Sequence, residues 1–199
     1  MNKVALLTNS TQNTQYKAVV IGGSAGSFQV VSKILANISP DFKLPIILCM
    51  HRLKHIRNGF VEALMIKSKK NIVEPEDKEP LKRDLVYLAS SNYHLILENN
   101  HCFALSTEEM VNNSRPSIDI TIDSVSQVFK EKTIGILLSG ANKDGARGMK
   151  RLKKRGGLTI VQDPEECTIA TMPNAALALN CVDKTLKTDE IILFLNSLI

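Results

Sequence analysis

The sequence predicts an α/β fold: a single doubly wound, mostly parallel sheet flanked by helices, with an antiparallel hairpin at one edge. Three short runs, at 18–21, 45–50 and 134–138, are continuously apolar, which is typical of strands that a parallel sheet buries on both faces. Helical patterns alternate with these runs, and this alternation indicates parallel strands joined by helices. The 199 residues show no repeat and no low-complexity linker, so we expect one domain over 16–199 after a flexible tail at 1–15.

The first elements form two strand–helix units. A strand at 17–22 leads to a helix at 27–37, and a strand at 45–50 leads to a helix at 58–68. Apolar side chains recur at helical spacing in both helices, which predicts one buried face on each. These apolar positions are Phe28, Val31, Ile34 and Leu35 in the first helix, and Phe60 and Leu64 in the second.

The middle of the chain changes rhythm. Four short segments, at 71–74, 85–89, 93–98 and 101–106, have strand character. The polar residues at 98–101 join the last two segments as a hairpin, which predicts the antiparallel edge.

The C-terminal part returns to alternation. Its predicted elements are a helix from Pro116 to about Lys130, a strand at 133–138, a helix at 145–155, a strand at 158–162, a helix from Pro173 to about Leu179, a strand at 181–185 and a helix at 188–198. The pair Gly156 and Gly157 is expected to end the helix at 145–155, and Pro173 to begin the helix that follows it in the chain.

Composition places the chain among cytoplasmic globular proteins. Hydrophobic residues make up 44% of the sequence, enough for a sizeable core, although aromatic residues are only 5% and Trp is absent. No apolar run approaches the ~20 residues that cross a bilayer, and the N-terminus lacks a signal-peptide pattern. We expect a cytoplasmic monomer without direct membrane insertion.

The formal net charge of +5 is mildly basic. Its densest cluster is Lys150, Arg151, Lys153, Lys154 and Arg155. The cluster fits the solvated C-terminal end of a helix, where cations complement the dipole, or a docking patch for an acidic partner. No aromatic residues interleave with these cations, so we expect no nucleic-acid partner.

The cysteines and histidines do not form a metal-binding pattern. Cys49, Cys102, Cys167 and Cys181 include no C-x-x-C pair, and reduced, mostly buried thiols are expected. Cys49 falls inside a predicted strand, which argues against a nucleophile. The spacing of His51 and His55 lacks the glutamate of a zincin helix, so no metal is expected. The dinucleotide fingerprint G-x-G-x-x-G is also absent, and we expect no cofactor.

The first apolar run leads into Gly22-Gly23-Ser24-Ala25-Gly26, which fits G-x-S-x-G at a strand-to-helix turn. Glycines permit the sharp turn that lifts a serine hydroxyl clear of a sheet. The amides at the start of the following helix favour negative charge, which would stabilise an oxyanion beside Ser24. The alternative is a glycine-rich turn that only joins strand to helix or holds a phosphate.

His51 and Asp144 follow the other two apolar runs. His51 directly ends its run, and an imidazole there could act as a general base, since it exchanges protons near neutral pH. Asp144 could orient that imidazole, although it could also be a simple first-turn acid of a helix. Ligands of open α/β sheets bind beyond the carboxyl ends of the strands, where these residues could converge. His94 and His101 flank the hairpin and are expected to be structural.

The order Ser, His, Asp along the chain differs from that of the α/β-hydrolases. With these residues in place, the chain over about 16–198 resembles the catalytic domain of the chemotaxis-type protein-glutamate methylesterases, the CheB family. The resemblance lies in Ile21-Gly22-Gly23-Ser24-Ala25-Gly26, the strand ending at His51, Glu76-Asp77-Lys78-Glu79-Pro80-Leu81, Val86-Tyr87-Leu88-Ala89, Arg115-Pro116-Ser117-Ile118-Asp119, Leu138-Ser139-Gly140-Ala141-Asn142-Lys143-Asp144-Gly145, Gly157-Leu158-Thr159-Ile160-Val161-Gln162-Asp163-Pro164 and Met172-Pro173.

This resemblance implies a serine hydrolase that removes methyl groups from glutamate γ-methyl esters on the cytoplasmic helices of chemoreceptors. Some members of the family also deamidate receptor glutamines. By position, Ser24 would be the nucleophile, His51 the base and Asp144 its orienting group. The backbone amides of Ala25 and Ala141 would be the oxyanion donors.

The sequence departs from the family pattern in three places. No receiver domain precedes the catalytic region, so a separate regulator protein is expected. Ser27 stands where a second glycine is common, and would tighten the turn after Ser24. Asn113 and Ser114 precede Arg115 where an Arg-His pair is frequent, which affects the substrate rim; Arg115 is a candidate for binding an anionic receptor segment or for a structural salt bridge.

A hypothesis from a different class is a non-catalytic docking module that recognises acidic receptor or kinase helices through its basic cluster. It would need none of the three candidate catalytic residues.

Overall fold

The computed structural model describes residues 16–51 and 59–199. The predicted tail at 1–15 and His55 lie outside the described residues. The described strands are β1 (Ala18–Gly23), β2 (Ile46–Met50), β3 (Asn71–Val73), β4 (Leu85–Leu88), β5 (His94–Leu97), β6 (Phe103–Ser106), β7 (Thr133–Leu137), β8 (Leu158–Gln162) and β9 (Lys184–Leu186). The described helices are α1 (Ser27–Asn37), α2 (Phe60–Lys67), α3 (Ile118–Phe129), α4 (Ala146–Lys154), α5 (Thr171–Ala178) and α6 (Thr188–Asn196).

A seven-stranded sheet forms the centre of the fold, in the order β3-β4-β2-β1-β7-β8-β9. Every pairing in it is parallel. The chain winds outwards from β1 in both directions, so the prediction of a doubly wound parallel sheet is confirmed. The short segments β3 and β4, which interrupted the sequence rhythm, are parallel members of this sheet.

The predicted hairpin is present, but its predicted place was wrong. Strands β5 and β6 pair antiparallel in a separate two-stranded sheet and do not extend an edge of the main sheet. The hairpin packs against α3, where Leu95, Leu97 and Phe103 are buried in the same apolar cluster as Ile118 and Ile122. Burying these side chains removes them from water, which a two-stranded ribbon could not do alone.

The main sheet is covered on both faces, which explains why its strands are continuously apolar. Alternate strand residues point to opposite faces, so each face receives half of every strand. One face packs against α1, α2 and α6 through Val31, Leu64, Ile191 and their neighbours. The other packs against α3, α4, α5 and the hairpin through Ile118, Met149, Met172 and their neighbours.

Candidate active site

Ser24 and His51 are the first residues beyond two adjacent strands. Gly23 at the end of β1 pairs with Met50 at the end of β2. The amide of His51 continues this ladder by donating to the carbonyl of Gly23 at 3.1 Å. Because neighbouring strands lie about 4.8 Å apart, Ser24 and His51 lie side by side at the carboxyl edge of the sheet.

The turn that carries Ser24 is held by backbone and hydroxyl contacts. The amide of Ser24 donates to the carbonyl of Ser139 at 2.9 Å. The hydroxyl of Ser27 donates to the carbonyl of Ser24 at 2.6 Å, and the Ser27 amide donates to the same oxygen at 3.0 Å. Ser27 therefore tightens the turn, as expected from the sequence.

Gly26 shows why this turn needs glycine. It is the N-cap of α1 and has φ of 84°, a left-handed conformation that residues with a side chain rarely adopt. A Cβ at this position would lie 2.5 Å from Cβ of Thr168 and 2.8 Å from Oγ of Ser139. Both the backbone and the space therefore exclude a side chain.

We expect Gly26→Ala to destabilise the protein by about 2–4 kcal/mol, from the left-handed backbone and the overpacking together. Gly59→Ala is the matched control, because Gly59 is also a helix N-cap with a left-handed φ of 93°, but a Cβ there would meet no atom of the described residues within 4 Å. Chemical denaturation of both variants measures the difference. Equal destabilisation would show that contact with Thr168 and Ser139 contributes nothing.

His51 and Asp144 form a direct pair. Nε2 of His51 lies 2.8 Å from Oδ2 of Asp144, with the carboxylate fully buried and the imidazole side chain 12% exposed. Since an ionised carboxylate only accepts hydrogen bonds, Nε2 carries a proton and Nδ1 is the basic nitrogen of the neutral ring. Asp144 thereby selects the tautomer of His51.

The carboxylate of Asp144 is surrounded by donors. Besides His51, it accepts from Nδ2 of Asn112 at 2.9 Å, Oγ of Ser117 at 2.9 Å, and the amides of Ile118 at 2.7 Å and Asp119 at 3.2 Å. These two amides are the first of α3, so the carboxylate caps that helix from another element. Burial alone would raise the pKa of Asp144, but the hydrogen bonds from His51, Asn112 and Ile118 outweigh it and hold this pKa below its ordinary value.

Ser24, the third residue of the predicted triad, is not hydrogen-bonded to His51 through its hydroxyl. Within the described part of the chain, the hydroxyl of Ser24 makes no hydrogen bond. Nδ1 of His51 lies instead 3.4 Å from Oγ of Ser114 and 3.4 Å from Nδ2 of Asn142. The structure thus brings His51 and Asp144 together and places Ser24 beside them on the sheet edge.

The loops that follow β1 and β7 each contain one of the two predicted oxyanion donors. Ala25 and Ala141 are exposed, and their amides donate to no acceptor within residues 16–51 and 59–199. The adjacent amide of Gly140 is already engaged with the carbonyl of Ile169 at 3.0 Å. The two donors that the family resemblance implies therefore have no acceptor among the described residues, and their role at the oxyanion stays a prediction.

Several residues that support the site were not chosen from the sequence. The hydroxyl of Ser139 donates to the carbonyl of Ala25 at 2.8 Å, and the Ser139 amide donates to Oε1 of Gln162 at 3.0 Å. Asn112 links Asp144 to Asp119, whose Oδ2 accepts from the same Nδ2 at 3.0 Å. Burial raises the pKa of Asp119, against hydrogen bonds from Gly148 and Asn112 that lower it.

Arg115 holds its own loop. Its Nη1 donates to the carbonyls of Thr107 at 2.5 Å and Glu108 at 2.9 Å, so no salt bridge is needed to explain it among the described residues. Contact with substrate stays a prediction for this residue. His94 is buried and also structural, since it contacts the carbonyl of Glu109 at 2.9 Å and accepts from the amide of Ser117 at 3.2 Å.

Much of the predicted basic cluster is neutralised. Arg151 and Arg155 both contact Asp123, at 2.8 and 2.6 Å, and Lys153 pairs with Asp183. The described residues offer no ion-pair partner to Lys150 or Lys154, which are exposed. The part of the cluster that could meet an acidic partner is therefore smaller than the sequence indicates.

The described ranges contain no group of three or more His, Cys, Asp or Glu side chains that could hold a metal ion. All the helices described are too short or too polar to cross a membrane. Of the four cysteines, Cys49 and Cys181 are buried and Cys102 and Cys167 are partly buried.

Comparison with known proteins identifies the family. The CheB methylesterase family model matches residues 19–195. A putative protein-glutamate methylesterase/protein-glutamine glutaminase of Leptospira interrogans is 40% identical over 176 residues, which cover 88% of this chain and 91% of the relative. A protein-glutamate methylesterase/protein-glutamine glutaminase of Thermotoga maritima is 32% identical over 95% of this chain but 56% of its own length.

A solved structure agrees with these sequence matches. The crystal structure of the Thermotoga maritima CheB methylesterase catalytic domain has a TM-score of 0.87 and 32% identity, and the match covers 92% of this chain and 99% of that one. The prediction of an enzyme of this class is confirmed, because family model, relatives and fold agree over nearly the same residues. The chain belongs to the CheB methylesterase family.

Proposed function

We propose that the chain hydrolyses glutamate γ-methyl esters on the cytoplasmic helices of chemoreceptors, with Ser24 as nucleophile, His51 as base and Asp144 as its orienting group. The observation that carries this proposal is the 2.8 Å pair between His51 and a fully buried Asp144, with Ser24 directly after the strand that neighbours the one before His51. Family membership supports the same reaction class.

The reaction proceeds in two halves. Nδ1 of His51 takes the proton of Ser24 as Oγ attacks the ester carbonyl; the tetrahedral intermediate collapses, and the same proton leaves with methanol. Water then gives its proton to Nδ1 and attacks the acyl-enzyme, which releases the glutamate carboxylate and restores the Ser24 hydroxyl. The free amides of Ala25 and Ala141 stabilise the oxyanion in both halves, each contributing about 3–4 kcal/mol.

Deamidation of glutamine is a second activity of the same site, favoured by the names of the relatives, which include protein-glutamine glutaminase. The nitrogen of a glutamine amide is a poorer leaving group than the methoxy oxygen of an ester, and it must be protonated as the C–N bond breaks. We therefore expect hydrolysis of the ester to be faster than that of the amide.

The test uses the purified full chain and a receptor cytoplasmic fragment, methylated in one sample and carrying glutamine at the same sites in another. Methanol release should exceed ammonia release at equal receptor concentration. A chain that binds the methylated fragment and releases no methanol would instead support the docking-module hypothesis.

A further inference from the structure

The base nitrogen of His51 faces two polar side chains that the proposed reaction does not use. Oγ of Ser114 and Nδ2 of Asn142 each lie 3.4 Å from Nδ1, and they lie 3.5 Å from one another. All three side chains are partly buried. Hydrogen bonds of this length are weak. Another contact fixes the direction of the one from Asn142, whereas the hydroxyl of Ser114 can turn.

Asn142 can only donate to His51. Its Oδ1 accepts from the amide of Asp144 at 3.0 Å, and this contact assigns the carbonyl end of the side chain. The amide NH₂ therefore faces Nδ1, where it is complementary to the lone pair of a neutral imidazole and repels a protonated one. Asn142 thus favours the neutral base.

The hydroxyl of Ser114 can hydrogen-bond to His51 in both protonation states of Nδ1. Its hydroxyl can donate to Nδ1 of the neutral ring, or turn and donate to the carbonyl of Asn112, 3.5 Å away, while accepting from a protonated Nδ1. Hydrogen bonds to a charged group are the stronger ones, so its net effect favours the imidazolium.

A tight turn fixes the place of Ser114. The amides and carbonyls of Val111 and Ser114 bond reciprocally, at 3.2 and 3.0 Å. The two residues between them, Asn112 and Asn113, have φ of 52° and 59°, the left-handed pair of a type I′ turn. The same turn therefore holds Asn112 against Asp144 and Ser114 against His51.

We propose that Ser114 and Asn142 are opposed positioning residues of His51: Asn142 donates to the neutral ring and so stabilises it, and Ser114 accepts a hydrogen bond from Nδ1 when that nitrogen carries the proton during turnover. This rests on the proposed function only in naming Nδ1 as the base. Of the carboxylates described here, Asp144 contacts Nε2 of the ring, and Asp119 is joined to Asp144 through Asn112.

The decisive measurement is the NMR titration of the His51 ring in the full chain, which does not depend on activity. Ser114→Ala should move the titration midpoint about 0.5 pH unit down from wild type, and Asn142→Ala about 0.5 pH unit up. Ser114→Thr, which keeps the hydroxyl, should stay near wild type, and Asn142→Asp should move further up than Asn142→Ala. Shifts of the same sign in Ser114→Ala and Asn142→Ala, or none, would overturn the proposal.

Kinetics separate this proposal from the proposed function. In the methanol assay, Ser114→Ala should lower kcat about 3- to 10-fold with KM unchanged, because the ring is stabilised only once it carries the proton. The acid limb of the pH–rate profile of Ser114→Ala should move to lower pH, in the same direction as the NMR titration midpoint. A wild type without activity, whose ring titration still shifts as described, would reject the methylesterase function and retain the roles of Ser114 and Asn142.

Discussion

The Ser24→Ala variant is expected to lose methanol release from a methylated receptor by about 10⁴- to 10⁶-fold while keeping the wild-type fold. The loss follows because no acyl-enzyme can form without Oγ. The fold should survive because the contacts of Ser24 within the described residues use its backbone, which alanine preserves: its amide bonds to Ser139, and its carbonyl accepts from Ser27. Steady-state kinetics and thermal unfolding measure the two effects.

A fluorophosphonate probe gives the same prediction without a receptor. The probe should label Ser24 in the wild type, as mapped by mass spectrometry, and nothing in Ser24→Ala. Ser27→Ala is the matched control, since it removes a nearby hydroxyl that only supports the turn, and it should still be labelled at Ser24. Label on Ser114, whose hydroxyl lies 3.4 Å from Nδ1, would contradict the assignment of the nucleophile.

The sequence predicted the main elements because the sheet is buried on both faces. A strand covered by helices on both sides must be continuously apolar, so the sequence shows β1, β2 and β7 as apolar runs. The loops that follow these three runs contain Ser24, His51 and Asp144. The helix at 27–37 coincides with α1, since its apolar face and the glycine before it mark both the core and the start. The sequence was enough to predict an element wherever the burial of that single strand or helix face determined its apolar pattern.

The sequence failed where the deciding contact lies far along the chain. The segments at 93–98 and 101–106 had strand character and a polar connection, but only the packing of this hairpin against α3 determines that it leaves the main sheet. Pro173 lies in the first turn of α5 and does not begin it, since a proline is tolerated anywhere in that turn. No pattern in 111–119 indicated that Asn112 and Ser117 donate to a carboxylate at position 144.

Those unforeseen donors make Asp144→Asn the second variant with a large expected effect. We expect kcat to fall about 10⁴-fold, because an asparagine NH₂ facing His51 would require Nε2 to accept and would move the ring proton to Nδ1, the nitrogen that must act as base. We also expect a loss of about 3–5 kcal/mol in stability, since every contact of this carboxylate is a donor and either orientation of the amide places an NH₂ against at least two of them.

The stability loss should depend on pH with a definite sign. The pKa of Asp144 is below its ordinary value in the folded protein, so the ionised carboxylate stabilises the fold above its unfolded-state pKa, and that contribution disappears as the pH falls through the folded-state pKa. The difference in unfolding free energy between wild type and Asp144→Asn should therefore be full at neutral pH and shrink below about pH 4. Denaturant titrations across this range measure it.

Asp119→Asn separates the two effects of the Asp144 substitution. Asp119 is also buried, also accepts from Asn112 and also lies at the start of α3, but it does not contact His51. Its pKa is raised in the folded protein, so its ionised form costs stability at neutral pH and the wild type gains stability as the pH falls through that value. If Asp144→Asn loses activity because the start of α3 loosens, kcat of Asp119→Asn should fall by a similar factor. If Asp144→Asn loses activity because the tautomer of His51 changes, kcat of Asp119→Asn should stay within about 10-fold of wild type.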